Sequence, residues 1–197
     1  MKIELAVARA RAGSRHPKPF DEPCRNKTRR RLGMAAGLTQ FGVNLLELGP
    51  GAWSSQCHWH AHEDEFVYVV RGPVVLVTDA GETVLDTGDC AGFKAGESDG
   101  HHLQNRGGAT ALILEVGTRG SGEPHAEYPD IDLRVNAEGY VHKDGTPYTS
   151  PPARRRTHGA RLGRGQTASS RSVYGAISPL APRFRFVREL TRYALPV

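Results

Sequence analysis

The chain has 197 residues and a formal charge of +5, a length that suits one domain with an appendage. The charge is unevenly placed: residues 149–197 hold ten Arg, no Lys and a single acid, Glu189, so they carry about +9 and leave about −4 for residues 1–148. That balance argues against a basic nucleic-acid-binding face on the folded domain, and three widely spaced cysteines (Cys24, Cys57, Cys90) without a CxxC argue against a disulfide framework or a cysteine zinc site.

In chain order, residues 1–37 read as an irregular N-terminal arm, with His16-Pro17-Lys18-Pro19-Phe20 at its centre. Arg9, Arg11 and Arg15 interrupt any apolar run near the start, so no signal peptide is expected. No stretch reaches the length of a membrane span, and a cytoplasmic setting is the expectation. The run Arg29-Arg30-Arg31 reads as a solvated turn, with a clamp on an anionic substrate as the alternative.

Residues 38–117 alternate strand and turn. Strands are predicted over 39–48, 53–59, 65–71, 74–78, 82–85, 90–93 and 110–116, separated by Gly49-Pro50-Gly51, Gly72-Pro73, Asp79-Ala80-Gly81, Thr87-Gly88-Asp89 and Arg106-Gly107-Gly108. Short strands at even spacing, without helical periodicity, predict an all-β antiparallel barrel or sandwich. In EFVYVVR, Glu65, Val67 and Val69 share one face, and Phe66, Tyr68 and Val70 share the other. The first face would line the barrel. The second needs a cover, from the arm or from a second copy, so a homodimer is an expectation. Residues 118–148 read as an extended segment and short hairpin packed outside the barrel. From 149 the composition turns to Ser, Arg, Gly and Pro, which predicts disorder, with one short amphipathic helix within 173–197.

The chemistry is concentrated in His58-Trp59-His60-Ala61-His62-Glu63-Asp64-Glu65. On a strand, His58 and His60 project together, and after a turn Glu65 opens the next strand and returns a carboxylate to the same interior. Two imidazoles and a carboxylate on adjacent strands suit Mn, Fe, Co, Ni or Zn. Gly100-His101-His102-Leu103-Gln104-Asn105 offers a further imidazole. His62, which could pair with His60 as a second HxH, falls in the turn. Cys57 points away from the site.

The spacing resembles the two motifs of the cupin superfamily. The first matches Gly51, His58-x-His60, four residues, Glu65, six residues, Gly72. The second matches Gly88, five residues, Lys94-Ala95-Gly96, His101, three residues, Asn105. Lys94 stands where proline is usual, and the gap from Gly96 to the histidine is two residues longer than in the motif. Counting back from Asn105 selects His101, with His102 as the alternative if a bulge intervenes. The strings EDEFVYVVRG, DGHHLQN, PFDEP, YPDIDL and HKDGTPY are similar to a group of small single-domain bacterial cupins, although the Arg-rich tail departs from that group. The resemblance covers roughly residues 38–117. It implies a double-stranded β-helix, or jelly-roll barrel, holding one divalent metal ion on His58, His60, Glu65 and His101.

Such a shell leaves open positions on an octahedral ion. The expectation is therefore a metal-dependent enzyme on a small oxygen-rich metabolite, either isomerising a sugar or sugar phosphate or acting as a dioxygenase. The alternative is a non-catalytic small-molecule binding or sensing module. The predicted inward set is mainly apolar (Val67, Val69, Leu76, Phe93), with Gln56, Arg71, Gln104 and Asn105 as polar candidates.

Overall fold

The computed structural model describes residues 2–119 and 125–148. The predicted disordered tail and its helix lie outside the described residues. Thirteen strands are present among those residues: β1 (Ala10–Ala12), β2 (Lys27–Arg31), β3 (Phe41–Leu48), β4 (Trp59–His60), β5 (Glu65–Arg71), β6 (Val74–Thr78), β7 (Gly81–Leu85), β8 (Cys90–Phe93), β9 (His102–Gln104), β10 (Ala111–Thr118), β11 (Ala126–Tyr128), β12 (Leu133–Asn136) and β13 (Gly139–Val141). One α-helical turn, Leu32–Ala35, and one 3₁₀ turn, Glu22–Cys24, complete the regular structure. No helix among the described residues is long and apolar enough to cross a membrane.

The strands form a six-stranded sheet in the order β1-β2-β3-β10-β5-β8, a three-stranded sheet β7-β6-β9 and a four-stranded sheet β13-β12-β11-β4. Leu46, Leu48, Val67, Val69, Ala111 and Ile113 of the first sheet meet Val74, Leu85 and Leu103 of the second in one core. The two sheets therefore face each other, as in the double-stranded β-helix that the motifs imply. Each fully buried aliphatic side chain there stabilises the fold by about 2 kcal/mol. The alternation predicted for β5 holds: Val67 and Val69 are buried, while Phe66 and Tyr68 are 42% and 40% exposed.

Two segments differ from their sequence-based description. The N-terminal arm is only partly irregular, because β1 and β2 extend the six-stranded sheet, with Arg29 opposite Leu46 and Arg11 opposite Arg29. The arm thus lies at the far edge from β5 and leaves Phe66 and Tyr68 uncovered. The segment after residue 118 does more than pack outside. Its β11 pairs with β4, the strand that carries His60, and Tyr128, Ala126 and Leu133 form a second core with Phe20 and Tyr140.

Asn105 explains why the second motif ends as it does. Its buried side-chain amide donates to the carbonyls of Leu48 (2.7 Å) and Ala109 (2.8 Å), and its Oδ1 accepts from the Gly107 amide (3.0 Å). Both amide hydrogens and the carbonyl oxygen of that side chain are engaged, so the end of β9 is tied to β3.

Candidate metal centre

Strand register brings the site together. His58 and His101 pair through reciprocal backbone hydrogen bonds of 3.2 and 2.9 Å. The turn from His60 to Glu65 is pinned by Asp64, whose amide accepts no freedom: it donates to Thr118 Oγ1 at 2.9 Å, and its carboxylate accepts from the Ala95 amide at 2.9 Å. Gly96, in the left-handed region at φ +80°, donates its amide to the His60 carbonyl at 2.9 Å. Glycine tolerates that conformation without the Cβ penalty, and Lys94, where proline is usual, is exposed and pairs with Glu97 at 3.9 Å.

Ligand atoms of His58, His60 and Glu65 all lie within 4.8 Å of one another. Glu65 Oε2 is 3.4 Å from His60 Nε2 and 3.4 Å from His101 Nε2. Those separations are longer than the 2.7–2.9 Å of a good charge-assisted hydrogen bond. They are close to the roughly 3 Å expected between neighbouring ligands that each stand about 2.1 Å from one ion. His58 Nδ1 lies 3.0 Å from the Gln56 carbonyl and 3.1 Å from the His101 carbonyl. Donation from Nδ1 fixes the tautomer and leaves Nε2 as the free lone pair. The donor set therefore fits a divalent ion.

The protonation states agree with that fit. Burial lowers the His58 pKa to about 3, against the pull of Glu65. Burial also opposes charge on His60, but hydrogen bonding to Glu65 and its negative charge hold the His60 pKa above the ordinary value. Burial would raise Glu65, yet hydrogen bonds from His101 and His60 keep its pKa well below the usual carboxylate range.

His101 is the histidine whose ring reaches Glu65, and it stacks on Phe93 at 3.5 Å between ring centroids. His102 turns the other way, 4.6 Å from the Trp53 ring, with Nε2 at 2.8 Å from Gln104 Nε2. His62 is exposed in the turn. Burial, with Asp130 nearby, pushes the Cys57 thiol up to about 12, so it is not a nucleophile at neutral pH.

The histidines His58 and His60 and Glu65 open on a cavity of about 420 Å³, a size typical of small-molecule sites. The inward row of the large sheet holds Gly42, Gly117 and Glu65 side by side. Two residues without side chains leave the space beside the carboxylate. Of the predicted inward polar residues, none lines this cavity. Gln56 donates to the Phe20 carbonyl and Arg71 to the Thr110 carbonyl, Gln104 bonds Arg106, and Asn105 is structural. Sequence reasoning missed the polar residues that do line it: His16, Lys27, Glu115, Tyr128 and Tyr140. Glu115 is 6% exposed and holds Arg29 through two contacts of 2.7 Å. The Tyr128 ring stacks on His58 at 5.6 Å. A charged residue at an inward position of a strand, as Glu115 is in ALILEVGT, was the available signal.

Comparison with known proteins follows the same outline. A family model described as a cupin domain matches residues 44–117. No curated protein matches the chain. A solved structure from Silicibacter pomeroyi, described as a sugar phosphate isomerase from a cupin superfamily, is 44% identical with a TM-score of 0.70; the match covers 76% of this chain and 98% of that one. A second, from Acidithiobacillus ferrooxidans and described as a candidate sugar phosphate isomerase, is 27% identical with a TM-score of 0.55, covering 64% and 81%. The polyketide cyclase RemF from Streptomyces resistomycificus shares the fold at 21% identity and a TM-score of 0.50, covering 62% and 82%.

Proposed function

This chain belongs to the cupin superfamily, and from that premise we propose that it is a metal-dependent isomerase of a small sugar-like carbonyl compound. The observation that carries the reading is the convergence of His58, His60 and Glu65 on a cavity of small-molecule size. The similarity to the Silicibacter pomeroyi protein favours isomerisation over the other reactions this fold hosts.

His58, His60, Glu65 and His101 would hold one divalent ion, which when bound would polarise a carbonyl or hydroxyl oxygen of the substrate. The chain's own residues prepare that role. His58 is held neutral and in one tautomer by the Gln56 and His101 carbonyls. Glu65 is held ionised. Tyr128, which lines the same cavity, stacks on the His58 ring and restricts its rotation.

Elemental analysis of the purified chain tests the reading. One ion per chain is expected, with His60→Ala and His101→Ala each losing at least tenfold in metal affinity, on the scale of removing a ligand or its support. Wild-type protein without stoichiometric metal would overturn the metal site. Metal-loaded protein that converts no member of an aldose–ketose panel would overturn the isomerase.

A further inference from the structure

The cavity is charged in a way that the metal cluster does not explain. Lys27, Arg29 and Arg31 occupy alternate positions of β2, so all three side chains face inward. Arg11 lies opposite Arg29 across the β1–β2 pair and shares that face. All four line the same cavity as His58, His60 and Glu65, and Arg15 joins them. Glu115 neutralises Arg29. Among the described residues no carboxylate forms an ion pair with Arg11, Arg15, Lys27 or Arg31. Lys27 Nζ donates instead to the Ser54 carbonyl at 2.5 Å.

Crowding like charges without counter-ions costs stability. The cost is visible in the titration of the group. Burial and the neighbouring Arg29 lower Lys27 to about 8. Burial, Arg15 and Arg31 lower Arg11. A strand edge in contact with water has no structural need for such a stripe, since the outward Arg30 finds Glu47 on β3.

We propose that Arg11, Lys27 and Arg31, with Arg15, form a subsite for a phosphate monoester dianion on the substrate whose other end meets the His58–His60–Glu65 cluster. A carboxylate needs one guanidinium, whereas four unpaired cations match a dianion with several acceptor oxygens. The isomerase reading supplies the identity of that other end and nothing else here. The subsite itself rests on β1 and β2.

Titration of the full-length chain with inorganic phosphate, by calorimetry at fixed ionic strength and with metal content measured in parallel, tests the subsite. Phosphate is expected to bind at least tenfold tighter than acetate. The Arg11→Gln/Arg31→Gln double variant should weaken phosphate at least tenfold with metal content unchanged. Arg11→Gln alone, at an exposed position that is safe for folding, should show part of that loss. Arg154→Gln/Arg155→Gln, which removes the same charge from the Arg-rich segment, should bind as wild type does. Equal binding of phosphate and acetate, retention of affinity in both arm variants, or an equal loss in the Arg154/Arg155 variant would each overturn the subsite. Protein that binds phosphate as expected but carries no stoichiometric metal would instead overturn the isomerase and leave the subsite standing.

Discussion

His58, bridged to His101, and His60, on β4, stand two residues apart and yet hold protons very differently. Burial strips His58 of its proton down to a pKa of about 3, whereas Glu65 keeps His60 protonated above the ordinary imidazole range despite burial. In the metal-free chain, an incoming ion must therefore compete with the proton on His60, whereas His58 is already unprotonated near neutrality. Metal affinity is expected to rise about tenfold per pH unit while His60 is protonated, and to level off above its raised pKa. Competition with a chelating dye between pH 5.5 and 8.5 measures the slope. A flat profile would contradict this assignment. The candidate ligands His58 and His60 were legible because HxH on a strand fixes direction by period alone, and Glu65 because it opens the next strand on the same side. The Glu115–Arg29 pair was not, because its partners lie 86 residues apart and meet only through the pairing of β2 and β10 with β3.

At the scale of elements, the strands carry more information than their charge content suggests. KTRRR looks like a solvated turn because every inward residue is as polar as its outward neighbours. Only pairing with β3, which puts Arg29 beside the buried Leu46, tells the two faces apart. β5 was easier, because alternation alone groups Val67 and Val69 with Glu65 on one face, and that face is the buried one. β3 and β10 contribute by omission. A Cβ built on Gly42 would meet just the Gly117 carbonyl, at 3.7 Å, and valine suits a strand. Gly42→Val should therefore fold and keep its metal, while its methyl groups occupy the space beside Glu65. At least a tenfold fall in kcat/KM with unchanged metal stoichiometry is expected. Unchanged turnover would show that substrate does not use this part of the cavity.

At the scale of the whole molecule, the two hydrophobic clusters among the described residues are built from side chains between Leu46 and Ile113 and between Phe20 and Tyr148. A chain ending at Tyr148 should accordingly keep its metal stoichiometry, with an unfolding free energy within about 0.5 kcal/mol of the full-length value, the scale of changes that touch no packed feature. Urea titration of the two proteins checks this, and a larger loss would place part of the folding energy in residues 149–197. The fold class was readable from strand spacing and the paired motifs. The contribution of the flanks was not, since short strands such as β1 and β11 acquire a partner only once the barrel exists. The family match spans residues 44–117 and contains every candidate metal ligand, but much of the cavity wall comes from Arg11, Lys27 and Arg31 on one side of that segment and Tyr128 and Tyr140 on the other. On the proposed reading, reactivity and selectivity are thus written in separate stretches of the chain. A relative's flanks, grafted as a cassette onto this barrel, are then expected to change which molecule is accepted while the proposed metal site is kept.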